Sequence, residues 1–175
     1  DAVQIQTILP APVAKVSFTS AVQTVIAGES SSAMTAQTTD AFGNISNASQ
    51  DVEVTLSSTS TAGAFGLTNS GTWDLSSIIV YTGTNNTTFH YRDTLMGTHT
   101  LTMHEISGLN WLDGTQDITI TPAIISQIVF ITNPQTLTAG IASEVITIQA
   151  RDQFENPSPA ESDTSIELVS SSPVG

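Results

Sequence analysis

The chain has 175 residues, of which 16 are acidic and only 3 are basic, so its formal net charge is −13. Nucleic acids and anionic lipid surfaces are bound mainly through lysine and arginine, and this balance argues strongly against both as direct partners. The absence of cysteine excludes a disulfide framework and thiolate chemistry. The apolar stretch "AIISQIVFI" (123–131) is too short to span a bilayer, so we expect no direct membrane insertion.

Short segments with a period of two follow one another along the chain, separated by clusters of Gly, Asn and Asp. No stretch has the 3.6-residue apolar period of a helix. Seven to nine short strands in about 110 residues are typical of an all-β protein with an antiparallel β-sandwich. The predicted strands cover residues 15–18, 32–40, 51–56, 77–83, 87–93, 98–105 and 116–122.

Two of these strands carry a more detailed prediction. In "TTFHYRD" (87–93) the alternation places Phe89 and Tyr91 inward, and in "THTLTMHE" (98–105) it places Leu101 and Met103 inward. A turn at residues 93–97 would join the two strands as a hairpin. Such a hairpin would pair Tyr91 with His99.

The sequence contains an internal repeat. A shift of 112 residues places the first 63 residues on the last 63 without a gap, with about two dozen identical positions. "TTDAFGNISNASQDVEVTL" (38–56) falls on "ARDQFENPSPAESDTSIEL" (150–168), and Pro10-Ala11 falls on Pro122-Ala123. Self-similarity at a fixed period indicates tandem units of about 112 residues.

The repeat divides the chain into three segments. Residues 1–11 are expected to be the last strand and linker of a preceding repeat. Residues 12–122 are expected to form one complete repeat, and residues 123–175 the first half of the next. A half repeat cannot close its own core, so further strands are expected from the continuing chain or from another copy.

Three motifs carry a resemblance to a known family: "TAGIASEVITIQARDQFENP" (138–157), "TTDAFGN" (38–44) and "TFHYRDTLMGTHTLT" (88–102). With these motifs the chain resembles the tandem bacterial immunoglobulin-like repeats of invasin-like adhesins and S-layer proteins, with His99 where tyrosine is usual. The resemblance implies an extracellular structural module of an S-layer, surface fibre or adhesin stalk. Its partners would be neighbouring repeats and other copies in a lattice or fibre.

No residue pattern indicates an enzyme. The chain has no Gly-x-Ser-x-Gly motif, and no His–Asp pair with a positioned nucleophile is visible in the sequence. His90, His99 and His104 are the only histidines, and the predicted strands do not bring them to one point, which argues against a histidine metal site. We therefore expect a non-enzymatic protein, and the sequence establishes no cofactor with certainty.

Calcium is the one cofactor that the sequence supports, because "DAFGN" and "DQFEN" repeat the same oxygen-bearing pair. Asp40 with Asn44, and Asp152 with Asn156, are candidate ligands, and Asp93 in the turn at the opposite pole is a fifth. Stacked repeats would bring Asp152 and Asn156 near Asp93. The alternative is that each aspartate starts a turn by bonding its own backbone.

Two further kinds of site are possible. Asn44, Asn47, Asn85 and Asn86 each begin an Asn-x-Ser/Thr sequon in a predicted loop, which makes them candidate glycosylation sites. The rival to a structural role is an adhesive, glycan-binding module, and a third possibility is an accessory domain of a surface hydrolase. Glycan binding would need exposed aromatic side chains, for which the candidates are Trp73 and Trp111, unless both have packing roles.

Overall fold

The computed structural model describes residues 3–171, so the ends of the predicted first and last segments, residues 1–2 and 172–175, lie outside the described residues. The chain divides into two compact units, Asp1–Thr121 (unit 1) and Pro122–Gly175 (unit 2). Every regular element within residues 3–171 is a strand, which confirms the predicted all-β class. Among the described residues, no helix is long and apolar enough to cross a membrane.

Unit 1 is a β-sandwich of two sheets. One sheet has the strand order β1–β3–β7–β5, and the other has the order β2–β9–β8–β4–β6. The β2–β9 pair runs parallel, and the other neighbouring pairs run antiparallel, so the predicted sandwich is confirmed with one parallel pair. The strands are β1 (Val13–Phe18), β2 (Gln23–Ile26), β3 (Met34–Asp40), β4 (Val52–Ser58), β5 (Ala64–Gly66), β6 (Ser77–Val80), β7 (Asn86–Arg92), β8 (Gly97–Glu105) and β9 (Gly114–Thr121).

The core of unit 1 lies between the two sheets and follows the period-two pattern of the strands. Phe89 and Tyr91 are fully buried on β7, as predicted. The ring centroid of Phe89 lies 6.0 Å from that of Phe18 and 5.9 Å from that of Phe65. Burial of such side chains contributes about 25 cal/mol per Å² of apolar surface. The five-stranded sheet adds the fully buried side chains Val52, Val54, Leu101, Met103 and Ile118.

The connection between β7 and β8 crosses from one sheet to the other, so the predicted hairpin is wrong. Tyr91 pairs with Phe65 on β5, whereas His99 pairs with Ile118 on β9. The inward positions of both strands were predicted correctly. Alternation shows which side chains face the core, but it does not show which strand lies beside which.

Unit 2 contains two antiparallel strands, β10 (Gln127–Phe130) and β11 (Ile148–Arg151). They lie 112 residues beyond β1 and β3, and they keep the register of that pair. Lys15 is paired with Thr39 in unit 1, and Gln127 is paired with Arg151 in unit 2. The turn after β11 therefore corresponds to the turn after β3.

Candidate functional site

A buried aspartate organises the turn after β3. Asp40 is the last residue of the strand, and only 3% of it is exposed. Its Oδ1 accepts hydrogen bonds from the backbone amides of Phe42 and Asn44, both at 2.9 Å. The side-chain amide of Asn44 donates to Oδ2 at 3.0 Å. These bonds form the turn in which an aspartate bonds its own backbone.

The same carboxylate holds the chain where it enters unit 1. The backbone amide of Ala11 donates to Oδ2 of Asp40 at 2.9 Å, and the hydroxyl of Ser46 donates to the carbonyl of Ala11 at 2.6 Å. Both main-chain groups of Ala11 are thus bonded to residues 29 and 35 positions along the chain. We call Asp40, Asn44 and Ser46 the linker clamp of unit 1.

Unit 2 contains the same clamp, formed by Asp152, Asn156 and Ser158. The backbone amide of Ala123 donates to Oδ2 of Asp152 at 2.9 Å, and the hydroxyl of Ser158 donates to the carbonyl of Ala123 at 2.7 Å. Asp152 also accepts from the backbone amide of Asn156 at 2.9 Å and from its side-chain amide at 2.9 Å. The two clamps therefore have matching donors, acceptors and spacing.

The hydrogen bonds of each clamp favour the ionised carboxylate. The side-chain amide of Asn44 lowers the pKa of Asp40 from 3.8 to about 2, with burial opposing this and the amide of Ala11 adding to it. Burial raises the pKa of Asp152, but the bonds from Asn156 and Ala123 outweigh burial and leave that pKa lowered. Both aspartates are therefore charged acceptors at neutral pH.

The residues predicted to bind calcium lie in three turns. Asp40 lies with Asn44, and Asp152 lies with Asn156, within their respective clamps. Asp93 follows β7 and lies at the opposite end of unit 1 from Asp40, because β3 and β7 are antiparallel. Within residues 3–171, no group of three or more His, Asp or Glu side chains is placed so that it could hold a metal ion. The calcium site, which would combine residues of both units, stays a prediction.

Asp93 is the centre of a second buried polar cluster. The hydroxyl of Tyr91 donates to Oδ2 of Asp93 at 2.6 Å and lies 2.8 Å from the hydroxyl of Ser58. Burial, followed by the bond to Asp93, raises the pKa of Tyr91 far above its usual value. His99 places Nε2 at 2.9 Å from the carbonyl of Leu95, to which it donates. In immunoglobulin domains a tyrosine makes this contact to the upstream backbone.

The three histidines have separate partners. Nδ1 of His90 lies 2.9 Å from the carbonyl of Ser31, and Nδ1 of His104 lies 2.8 Å from Asp113 on the surface. His99 faces the cluster around Asp93 instead. The expectation that the histidines do not converge agrees with these positions.

The candidate glycosylation sites differ in what holds their side-chain nitrogens, the atoms to which a glycan would be attached. The nitrogen of Asn44 donates to Asp40, so it belongs to the clamp. The nitrogen of Asn85 donates to Oδ1 of Asn47 at 2.8 Å, and the nitrogen of Asn86 donates to Oδ1 of Asn85 at 2.9 Å. Modification at these four residues stays a prediction.

The two tryptophans both pack against other residues. Trp111 is 7% exposed and borders a cleft of about 370 Å³ together with Pro12 and Leu109. Trp73 lies beneath the guanidinium of Arg92, whose Cζ is 4.8 Å from the ring centroid. Such a cation–π contact uses one face of the ring. Ligand binding by either tryptophan stays a prediction.

Sequence reasoning missed the partners of the clamp aspartates. It did not connect Ala11 with Asp40, or Ser46 with Ala11, because these contacts join distant parts of the chain. A signal was nevertheless present. Pro10-Ala11, Asp40, Asn44 and Ser46 all recur at the 112-residue shift. The linker and the polar turn are therefore among the positions that both repeats keep.

Comparisons with known proteins gave likenesses only among solved structures. No protein-family model matches the chain, and no curated protein matches it. The chain is similar to domains 4 and 5 of the S-layer protein SbsC, with 16% identity, a TM-score of 0.41, and coverage of 64% of this chain and 46% of that one. For domains 5–6 of SbsC the identity is 15%, the TM-score 0.44 and the coverage 89% and 74%.

A β-glycosidase from Bacteroides vulgatus is also similar, with 13% identity and a TM-score of 0.48 over 63% of this chain and 14% of that one. The chain thus spans less than half of the SbsC structure with domains 4 and 5 and a small part of the glycosidase. The fold assignment rests on the strand order and pairing described above.

Proposed function

We propose that the chain is a structural module of a large repetitive cell-surface protein, such as an S-layer, a surface fibre or an adhesin stalk. In this role it acts as a non-enzymatic, stiff spacer or assembly unit. The observation that carries the proposal is the linker clamp, which recurs in both units with the same bonds to Ala11 and to Ala123. A spacer needs fixed linkers, because any load along the protein passes through them.

The composition and the motifs support this role. Few charges and many Ser and Thr residues keep exposed strands soluble without a basic surface that would bind nucleic acid. The motifs in 38–44, 88–102 and 138–157 resemble bacterial immunoglobulin-like repeats, so we assign the sandwich to that type. The partners are neighbouring repeats and other copies in a lattice or fibre.

Surface location can be measured on cells of the organism that produces the protein. Antibodies raised against the 175-residue chain are expected to label intact cells, and protease added outside is expected to release peptides of unit 1. A cytosolic protein followed in the same cells is the control for lysis. Labelling that appears only after the cells are broken would overturn the proposal.

A glycan-binding module, alone or beside a hydrolase, is the second candidate, because Trp73 lies in a loop and is half-exposed. The wild-type chain is expected to bind no glycan on an array. Glycan binding that is lost in Trp73→Ala and retained in Trp111→Ala would instead favour this candidate. Both variants must keep the wild-type melting temperature.

A further inference from the structure

We propose that each linker clamp is a metal-independent lock, which binds the main chain of one linker residue and fixes it to the unit that follows. This inference rests on the proposed spacer function for its biological purpose, but the lock itself can be tested without it. Its ligand is an extended peptide residue with a free amide hydrogen. Ala11 fills the clamp of unit 1, and Ala123 fills the clamp of unit 2.

The lock is complete without a cation. A carboxylate offers about four lone-pair directions for hydrogen bonds. In Asp152, Oδ1 accepts from the backbone amides of Phe154 and Asn156, and Oδ2 accepts from the amide of Ala123 and the side chain of Asn156. All four positions are therefore used by N–H donors. A calcium ion at this carboxylate would have to displace at least one of them.

The lock recognises the backbone of the linker residue rather than its side chain. Its two bonds to Ala123 go to the amide and the carbonyl of that residue, so the methyl group contributes no hydrogen bond. Any residue with an amide hydrogen can therefore be held at this position. Proline is the exception, because it has no N–H to donate. This difference gives a substitution test that leaves the aspartate unchanged.

A proline precedes the clamped residue of unit 2. The carbonyl of Thr121, at the end of β9, accepts a 2.8 Å hydrogen bond from the amide of Ala27. The clamp of unit 2 holds Ala123, so only Pro122 lies between two bonded residues. The proline ring fixes φ near −65°.

Hydrogen exchange of single amides in the whole 175-residue chain tests the lock. The amides of Ala11 and Ala123 are expected to be protected equally in excess EDTA and in excess calcium. Asp152→Ala is expected to make the Ala123 amide exchange about tenfold faster or more, because its charged acceptor is lost. The Ala11 amide should not change in this variant, and the amide of Ile131, which donates to the carbonyl of Thr147 at 2.9 Å, should keep its protection and so report that unit 2 is folded. Asp163→Ala, in the same unit, is the matched control for removal of a carboxylate.

Substitutions at Ala123 supply a second, independent measurement. Ala123→Ser is expected to keep the restricted backbone motion of residues 124–126, measured by 15N relaxation, whereas Ala123→Pro is expected to increase the motion of these residues. Protection that appears only with calcium, or that survives Asp152→Ala, would overturn the lock. Equal relaxation in the serine and proline variants would overturn it as well. Each of these failures would leave surface labelling of cells unaffected, so it would be distinguishable from failure of the proposed function.

Discussion

Gly43 and Glu155 occupy the same position in the two clamp turns, and both have positive φ, +85° and +69°. The turn therefore requires a left-handed residue whether or not the sequence supplies glycine. In unit 2 the side chain of Glu155 is held by Arg151, at 3.0 Å, and by Gln127. A residue with a Cβ in this conformation costs roughly 1–2 kcal/mol, so the turn of unit 2 tolerates strain that the glycine of unit 1 avoids.

Replacement of Gly43 measures that cost directly. No heavy atom lies within 4 Å of a Cβ built on Gly43, so Gly43→Ala adds torsional strain without a clash. We expect the free energy of unfolding of unit 1 to fall by about 1 kcal/mol. Gly43→Asn is the matched variant and should lose less, because asparagine tolerates the left-handed region better. Urea unfolding provides the measurement, and equal losses in the two variants would contradict the torsional explanation.

Tyr91→Phe tests the buried cluster around Asp93. The substitution keeps the ring in the core but removes the donor to Oδ2 of a carboxylate that is 1% exposed. We expect a loss of about 1–3 kcal/mol in the free energy of unfolding. Tyr81→Phe is the control, since Tyr81 is 59% exposed. A loss no larger in Tyr91→Phe than in Tyr81→Phe would show that the bond to Asp93 contributes nothing to stability.

The same cluster predicts alkaline sensitivity. Burial and the neighbouring Asp93 raise the pKa of Tyr91 far above its ordinary 10.0, so the folded chain retains the phenol proton more tightly than the unfolded chain does. The contribution of the protonated Tyr91 hydroxyl to stability is intact below pH 10.0, and it falls as the pH rises above this value. Thermal unfolding followed upward from neutral pH should show a decline in the wild type. Tyr91→Phe should lack this part of the decline, and an identical decline in that variant would assign it to other groups.

His99→Leu tests the hydrogen bond between the side chain of His99 and the backbone. Leucine fills a similar buried volume but cannot donate to the carbonyl of Leu95, which accepts from Nε2 at 2.9 Å. We expect a loss of about 1 kcal/mol, the net value of one typical hydrogen bond. His104→Leu removes an exposed pair with Asp113 and should change stability less. The expectation fails if the variant at His104 is the more damaging of the two in chemical unfolding.

The sequence was sufficient for the long strands and for the short apolar β6, but it was insufficient for β2 and β5. β7 was predicted because Phe89 and Tyr91 alternate with polar residues over a full strand. β2 and β5 have only four and three residues, too few for alternation to be recognised. Which strands lie side by side could not be predicted from the sequence, for a different reason. The sheet to which β7 or β8 belongs depends on contacts between distant segments, which a local period does not record.

The clamp shows the same limit. Asp40 and Asn44 were selected from the sequence because the same oxygen-bearing pair recurs as Asp152 and Asn156. The alternative, an aspartate that bonds its own backbone, agrees with the bonds of Asp40 to the amides of Phe42 and Asn44. The bond from Ala11 to Asp40 joins residues 29 positions apart and has no local signature. Only the repeat carries information about it, since Ala11 and Ser46 recur together with the turn.

Acid should weaken the clamp in a defined pH range. The bond from the side chain of Asn44, together with those from backbone amides, lowers the pKa of Asp40 from 3.8 to about 2. The unfolded chain therefore binds this proton more readily than the folded chain, so the contribution of Asp40 is fully present above pH 3.8 and declines as the pH falls toward 2. Urea unfolding of unit 1 across this range should show the decline in the wild type and a shallower one in Asp40→Ala. Asp74→Ala removes an exposed carboxylate from the same unit. In this variant the free energy of unfolding should decline with falling pH as steeply as in the wild type. If Asp40→Ala has the wild-type slope as well, the ionised carboxylate of Asp40 does not stabilise the clamp.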